Sequence, residues 1–286
     1  MQRFFIIGNP RSGTTLFRLM LNKHSKICVP PEAGFLVWLY KEFKDTVFNV
    51  NYDYFIEQLM STNKIETWNL DYEKLKNYLN NKKPSTFQDV MDCVYQFYTL
   101  DVLKKEINLY GDKNNYYLNH VDLLASLYQN AKFVHIIRDG RSVAASYKGV
   151  MKQKMVSKYA PKLPTEINDI ASEWKTNISN IEKSFSKLLI EQKITIRYED
   201  LVLEPEKTLI KVCDFLGLNF EKQMLNYYTT TIQDGLEPEE YLAWKQKNLQ
   251  PLQKNEIDKY KQLTNKELID FEKAAESFLK KYDYIN

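Results

Sequence analysis

Four apolar residues in a row, Phe4-Phe5-Ile6-Ile7, open the chain as a buried strand, and the period changes directly after them. Gly8 to Thr15 is polar and bounded by glycines, and Leu16, Leu19 and Met20 then recur at helical spacing. Phe133-Val134-His135-Ile136-Ile137 repeats the pattern: an apolar run, a polar turn, then a helix through Val143 and Ala144. Ile27-Cys28-Val29, Leu109-Tyr110 and Ile194-Thr195-Ile196-Arg197 read as further short strands between helical segments. Strands alternating with helices predict an α/β fold in three layers, a central parallel sheet flanked by helices.

Helices are expected after the glycine loop to about His24, from Ala33 to Tyr40, from His120 to Gln129 and over 166–192. Another opens at Glu204-Pro205, with proline in its first turn, and stops at Gly217. Leu268, Phe271, Ala275, Phe278, Leu279 and Tyr282 give a closing helix one apolar face. Residues 51–107 read as a helical insertion with helices at 54–60, 72–79 and 87–103, broken most clearly at Lys82-Lys83-Pro84-Ser85. Nothing reads as a linker, so one domain over 1–286 is expected.

Composition narrows the class. With 44% hydrophobic residues the 286-residue chain has enough apolar matter for a full core, and it has no run of about 20 apolar residues that would span a membrane. A net charge of +3 argues against a general nucleic-acid binder. Cys28, Cys93 and Cys213 follow no metal-ligand spacing and read as buried structural thiols of a reducing compartment. The first strand starts almost at once, so no signal peptide or stem is expected and the cytoplasm is the expected location.

The chemistry lies at the strand-to-helix turns. A strand, a tight loop and a helix N-terminus bring several backbone N–H groups and the positive end of a helix dipole to one point, which suits an anion. Gly8 and Gly13 occupy the glycine positions of GxxxxGK[ST], but Thr14 stands where that pattern has lysine. Arg11 is the only cation inside the loop, and Thr14 and Thr15 end it with two hydroxyls.

Pro10-Arg11-Ser12-Gly13-Thr14-Thr15 after a strand resembles the 5′-phosphosulfate loop of sulfotransferases that use 3′-phosphoadenylyl sulfate (PAPS). Arg138-Asp139-Gly140-Arg141-Ser142-Val143-Ala144-Ala145-Ser146 resembles the same family's 3′-phosphate element. The resemblance implies a P-loop fold and assigns the 3′-phosphate to Arg138 and Ser146. It likewise assigns the 5′ end to Arg11, Ser12, Gly13, Thr14 and Thr15. Val29-Pro30-Pro31-Glu32 is similar to the position of the catalytic glutamate in the tyrosylprotein branch and in many bacterial relatives, which makes Glu32 the expected base. Gly111-Asp112-Lys113 is similar to the family's lysine element, although the usual following proline is replaced by Asn114-Asn115-Tyr116. It implies that Lys113, with Arg11, stabilises charge on the leaving phosphate. Arg197-Tyr198-Glu199-Asp200-Leu201-Val202, with Pro205 and Phe215-Leu216-Gly217-Leu218, resembles a third element, in which Tyr198 would touch the nucleotide.

The resemblance runs from Phe4 to about Leu218 and leaves 51–107 outside it. It implies PAPS as donor, 3′-phosphoadenosine 5′-phosphate (PAP) as product and no metal. The acceptor would be a hydroxyl of a sugar, lipid, small metabolite or peptide tyrosine. Neither a nucleic-acid partner nor a membrane span is expected. Two other readings stay open on the residues alone, a P-loop kinase or NTPase and a non-catalytic PAP-binding module. Lys245 and Lys247, within the segment from Thr229 to Gln250, lie where relatives place a mobile loop. His24, His120 and His135 are read as a cap or core contact, a residue near a helix start and a buried strand residue.

Overall fold

In the computed structural model, which describes residues 1–48, 51–153, 158–229 and 249–286, five strands form one parallel sheet. They are β1 (Gln2–Ile7), β2 (Ile27–Cys28), β3 (Leu109–Lys113), β4 (Lys132–Ile137) and β5 (Lys193–Arg197), in the order β2-β3-β1-β4-β5. Helices cover both faces, as the alternation of elements implies.

Side chains alternate across β1, and each set meets its own core. Phe5 and Ile7 join Phe133 and the apolar faces of the helices between 53 and 97. Phe4 and Ile6 join Val134, Ile136 and Ile196 against α1 (Thr14–Asn22), α10 (Tyr198–Leu203) and α11 (Pro205–Leu216). A third cluster forms where α8 (Gly140–Met151), α9 (Ile167–Phe185) and α12 (Asn265–Lys281) meet around Trp174 and Phe271. Gly140 lets those helices approach, because a Cβ there would lie 2.7 Å from both rings.

The 51–107 region is helical, as its pattern predicts, with α4 (Asp53–Ser61), α5 (Tyr72–Lys82) and α6 (Phe87–Phe97). The break at Lys82-Lys83 is real: Lys83 takes φ 50 and stops α5. Four helices differ from expectation. The helix expected over 33–40 is two single turns, α2 (Phe35–Trp38) and α3 (Tyr40–Phe43), and that expected over 87–103 widens into a π-turn at Tyr98–Val102. The long helix ends at Phe185 rather than near 192, and a short 3-10 turn, Ile190–Gln192, leads into β5 instead. The helix before β4, α7, covers only Val121–Leu127. No described helix is long and apolar enough to cross a membrane.

Because all five strands are parallel, all five C-terminal ends lie on one edge of the sheet, where ligands of such sheets bind. Glu32 follows β2, Lys113 ends β3, Arg11 follows β1, Arg138 follows β4 and Tyr198 follows β5. Strand order sets these residues out along the edge in that sequence. Three strand spacings separate β2 from β4, about 14 Å. A carboxylate–lysine pair therefore stands at one end and an arginine–tyrosine pair at the other, with the glycine loop between them.

Candidate active site

The loop Gly8–Gly13 is shaped by what surrounds it. A Cβ on Gly8 would lie 2.8 Å from the Ile136 carbonyl oxygen and 2.8 Å from Thr14 Cγ2, so only glycine fits where the chain leaves β1. Arg11 takes φ 67 and Gly13 φ 89, two left-handed residues that turn the loop into α1. Gly13 offers no side-chain cap to the first N–H groups of α1, and Gly13, Thr14 and Thr15 line the cavity there. Asn9 braces the turn: its side-chain amide donates to the Pro10 carbonyl (2.9 Å) and to Tyr147 Oη (3.2 Å), and its Oδ1 accepts from Asn177 (2.7 Å).

The two loops that the sequence brings forward meet directly. Arg11 Nε donates to Ser146 Oγ at 3.3 Å, and Arg138 Nη1 donates to the Arg11 carbonyl at 3.0 Å. The Arg138 guanidinium lies over the Tyr198 ring, 4.3 Å from its centroid, and the same ring presses on Gly13. Burial, and then the neighbouring Arg138 charge, holds the Arg11 guanidinium below its ordinary pKa. Two cations held this close favour an anion between them. Asp139 caps α8, and its own N–H donates to Glu199 (3.0 Å), which fixes the turn carrying Arg138.

At the other end, Lys113 Nζ lies 3.2 Å from Glu32 Oε2, and the Asn115 N–H donates to Glu32 Oε1 at 3.4 Å. Lys64, from the helical region, approaches Glu32 Oε1 at 3.9 Å. Lys113 is 2% exposed and Glu32 9%. Glu32 is positioned by backbone clamps on the residues before it. Asn22 bonds both the N–H and the C=O of Val29 (2.8 Å each), Arg18 donates to the same carbonyl (3.2 Å), and Trp68 Nε1 donates to the Pro31 carbonyl (2.8 Å).

Arg11, Gly13, Thr14, Thr15, Glu32, Lys113, Arg138, Ser146 and Tyr198 all line one cavity of about 440 Å³, within the usual range for small-ligand sites. Ser12 does not line it; it is fully buried beneath the loop, and its Oγ has no partner among the described residues. Among the described residues, five cationic side chains (Arg11, Lys64, Lys113, Arg138, Lys259) and two carboxylates (Glu32, Glu256) line the wall. The cavity is thus suited to a polyanion.

Sequence reasoning missed several contributors. The 3-10 segment Lys254–Gln262, kinked at Asp258, forms part of the wall through Glu256 and Lys259. Arg18 and Asn22, one helical turn apart on an otherwise apolar face, were the visible sign of the clamp on Val29. None of the histidines lines the cavity. His24 bonds the Asn219 carbonyl and accepts from the Lys26 N–H, His135 is buried in β4 and pushed down to about 3 by burial, and His120 packs against Tyr116 with the rings tilted. Lys245 and Lys247 lie outside the described residues. Among the described residues no group of three His, Cys, Asp or Glu side chains is arranged for a metal.

A family profile described as "Sulfotransferase family" matches residues 3–222, running through 51–107, which the motifs alone leave out. The chain is 25% identical over 232 residues to protein-tyrosine sulfotransferase 1 of Danio rerio, a match covering 79% of this chain and 56% of that protein. It therefore spans about half the length of that relative. Its fold is similar to the sulfotransferase domain of the Synechococcus PCC 7002 olefin synthase (TM-score 0.63, 23% identity, 97% of this chain and 94% of that one). It is also similar to mouse sulfotransferase SULT7A1 complexed with PAP (TM-score 0.50, 13% identity, 99% and 85%). Two separate strand-to-helix loops meeting on one cationic cavity, and a profile match over most of its length, lead to one assignment: this chain belongs to the sulfotransferase family.

Proposed function

We propose that the chain, acting as one catalytic domain, transfers a sulfuryl group from PAPS to an acceptor hydroxyl of a sugar, lipid, small metabolite or peptide tyrosine. The observation that carries this reading is the meeting of Arg11, Ser146 and Arg138 at one end of a cavity whose other end holds the Glu32–Lys113 pair. The residues fit such a donor: Arg138 Nε is a buried polar atom without a partner among the described residues, and Gly13, Thr14 and Thr15 line the cavity where α1 begins.

Arg138 and Ser146 would hold the 3′-phosphate, and Arg11, Gly13, Thr14 and Thr15 the 5′-phosphosulfate, with Tyr198 against the nucleotide; Ser12, beneath the loop, would shape it from below. PAPS supplies the sulfuryl group: its S–O bond to the 5′-phosphate breaks, the bond pair leaving with the phosphate, as the acceptor oxygen bonds to sulfur. Glu32 takes the hydroxyl proton on a carboxylate oxygen. Lys113 and Arg11 place positive charge where the leaving oxygen becomes negative, inside a site that partly excludes water. These cations do the work that a metal does in nucleotide triphosphatases, so none is required. Cys28, Cys93 and Cys213 are free and buried, which supports a reducing compartment, the cytoplasm.

Thermal melts with a chelator present test the reading. PAP at about 100 times its Kd should add roughly 2.7 kcal/mol, and ATP, which lacks a 3′-phosphate, much less. Equal stabilisation by ATP, or a requirement for magnesium, overturns it.

A further inference from the structure

The 3-10 segment Lys254–Gln262 brings a carboxylate to the arginine that reads the 3′-phosphate. It is fastened to α8 through Ser142, whose hydroxyl donates to the Ile257 carbonyl (2.8 Å) and accepts from the Tyr260 N–H (3.3 Å). Arg141 lies over the Tyr260 ring at 4.6 Å, a second anchor. Ser142 is one helical turn before Ser146, so the segment runs beside the proposed 3′-phosphate position. Arg138 Nη2 donates to the Glu256 carbonyl at 2.5 Å. One carboxylate oxygen of the same residue, Glu256 Oε2, lies 3.9 Å from Arg138 Nη2 and 3.5 Å from Lys259 Nζ. Arg138, Glu256 and Lys259 all line the cavity, with side chains 5%, 15% and 13% exposed.

Resting on the assignment of Arg138 to the 3′-phosphate, we propose that Glu256 is an intramolecular competitor of that phosphate and sets how long the nucleotide product is retained. Its carboxylate neutralises Arg138 and Lys259 before nucleotide arrives. A 3′-phosphate, with its larger charge, must displace it or lie against it, and on product departure the carboxylate returns to the two cations. When a competing internal contact holds the site most of the time, apparent affinity falls by the fraction of time the site is open. Placing like charges together near the Arg138 side of the cavity acts in the same direction. A nucleotide with a 5′-phosphate but no 3′-phosphate makes no demand on Glu256 and is unaffected by it.

The test compares PAP and AMP on the wild type, Glu256→Gln and Glu256→Asp, with affinities from calorimetry and dissociation rates from stopped flow. Melting without nucleotide checks that each variant is folded. Glu256→Gln keeps the shape and removes the charge, so PAP should bind about 5–10-fold more tightly, mainly through slower dissociation. AMP affinity should stay within about twofold. Glu256→Asp, which shortens the reach, should fall between the two for PAP. Unchanged or weaker PAP binding by folded Glu256→Gln, or an equal gain for PAP and AMP, overturns the proposal. If the wild type does not prefer PAP to AMP, it is the assignment of Arg138 that fails, a result distinct from any effect of Glu256.

Discussion

Gly13→Ala probes the most tightly determined position of the loop. Gly13 takes φ 89, and a Cβ there would fall 2.3 Å from Tyr198 Cδ2 and 2.7 Å from Cε2. The ring has little room to retreat, since it is 6% exposed and also carries the Arg138 guanidinium. A left-handed backbone costs an alanine about 1–2 kcal/mol, and overpacking against a buried ring costs about 1–3 kcal/mol more. The expected loss is therefore ~2–5 kcal/mol, a fall in Tm of roughly 4–10 °C for a chain of this size. A double-mutant cycle with Tyr198→Ala separates the two parts. Once the ring is gone, Gly13→Ala should cost only the backbone strain, leaving a coupling of about 1–3 kcal/mol. Additivity within about 0.5 kcal/mol would show that Tyr198 does not press on the loop and would refute the packing described here.

Arg138→Ala should weaken PAP binding by about 1.5–3 kcal/mol, the value of a charge-assisted contact. Binding of adenosine 5′-phosphosulfate, which has no 3′-phosphate, should suffer much less by calorimetry, and equal losses would remove Arg138 from the 3′-phosphate. His135 offers a pH test: burial pushes it down to about 3, whereas unfolded histidine protonates near 6.5. The unfolded chain thus takes up a proton between about 6.5 and 3 that the folded one does not, and this costs about 1.4 kcal/mol of stability per pH unit as pH falls. Asp112, pushed up to about 6 by burial, acts in the opposite sense between about 6 and 3.8, so slopes are compared between variants. His135→Leu should flatten the acid slope of denaturant-measured stability, and an NMR titration of the wild-type ring near 6 would contradict the assignment.

The sheet was legible because strands buried on both faces read as short continuous apolar runs bounded by turn residues. Phe4-Phe5-Ile6-Ile7 and Phe133 to Ile137 have that form, and the parallel edge follows from the crossovers between them. Glu32, Lys113 and Arg138 were legible as strand-end residues, but their roles came from motif resemblance. What holds Glu32 was not legible. Trp68 reaches the Pro31 carbonyl across 37 residues, and no local pattern encodes such a contact. Lys254–Gln262 carries no apolar period and buries no residue, so its place on the cavity wall depends on Ser142 and Arg138, more than a hundred residues earlier. The helix boundaries that moved, at Leu39 and Tyr98, sit within apolar runs whose pattern would have allowed the helix to continue.

Transfer of labelled sulfate from PAPS to a pool of hydroxyl acceptors, followed by mass-shift analysis and run on wild type and Glu32→Gln alongside calorimetry with PAP, tests the central claim most directly. Glutamine keeps the shape of Glu32 and cannot take a proton. The account predicts transfer by the wild type, a fall of ~10²–10⁴ in the single-turnover rate of the variant, and nearly unchanged PAP affinity. Near-normal transfer by Glu32→Gln would contradict its role as the base, and a wild type that binds PAP but labels no acceptor would contradict catalysis itself.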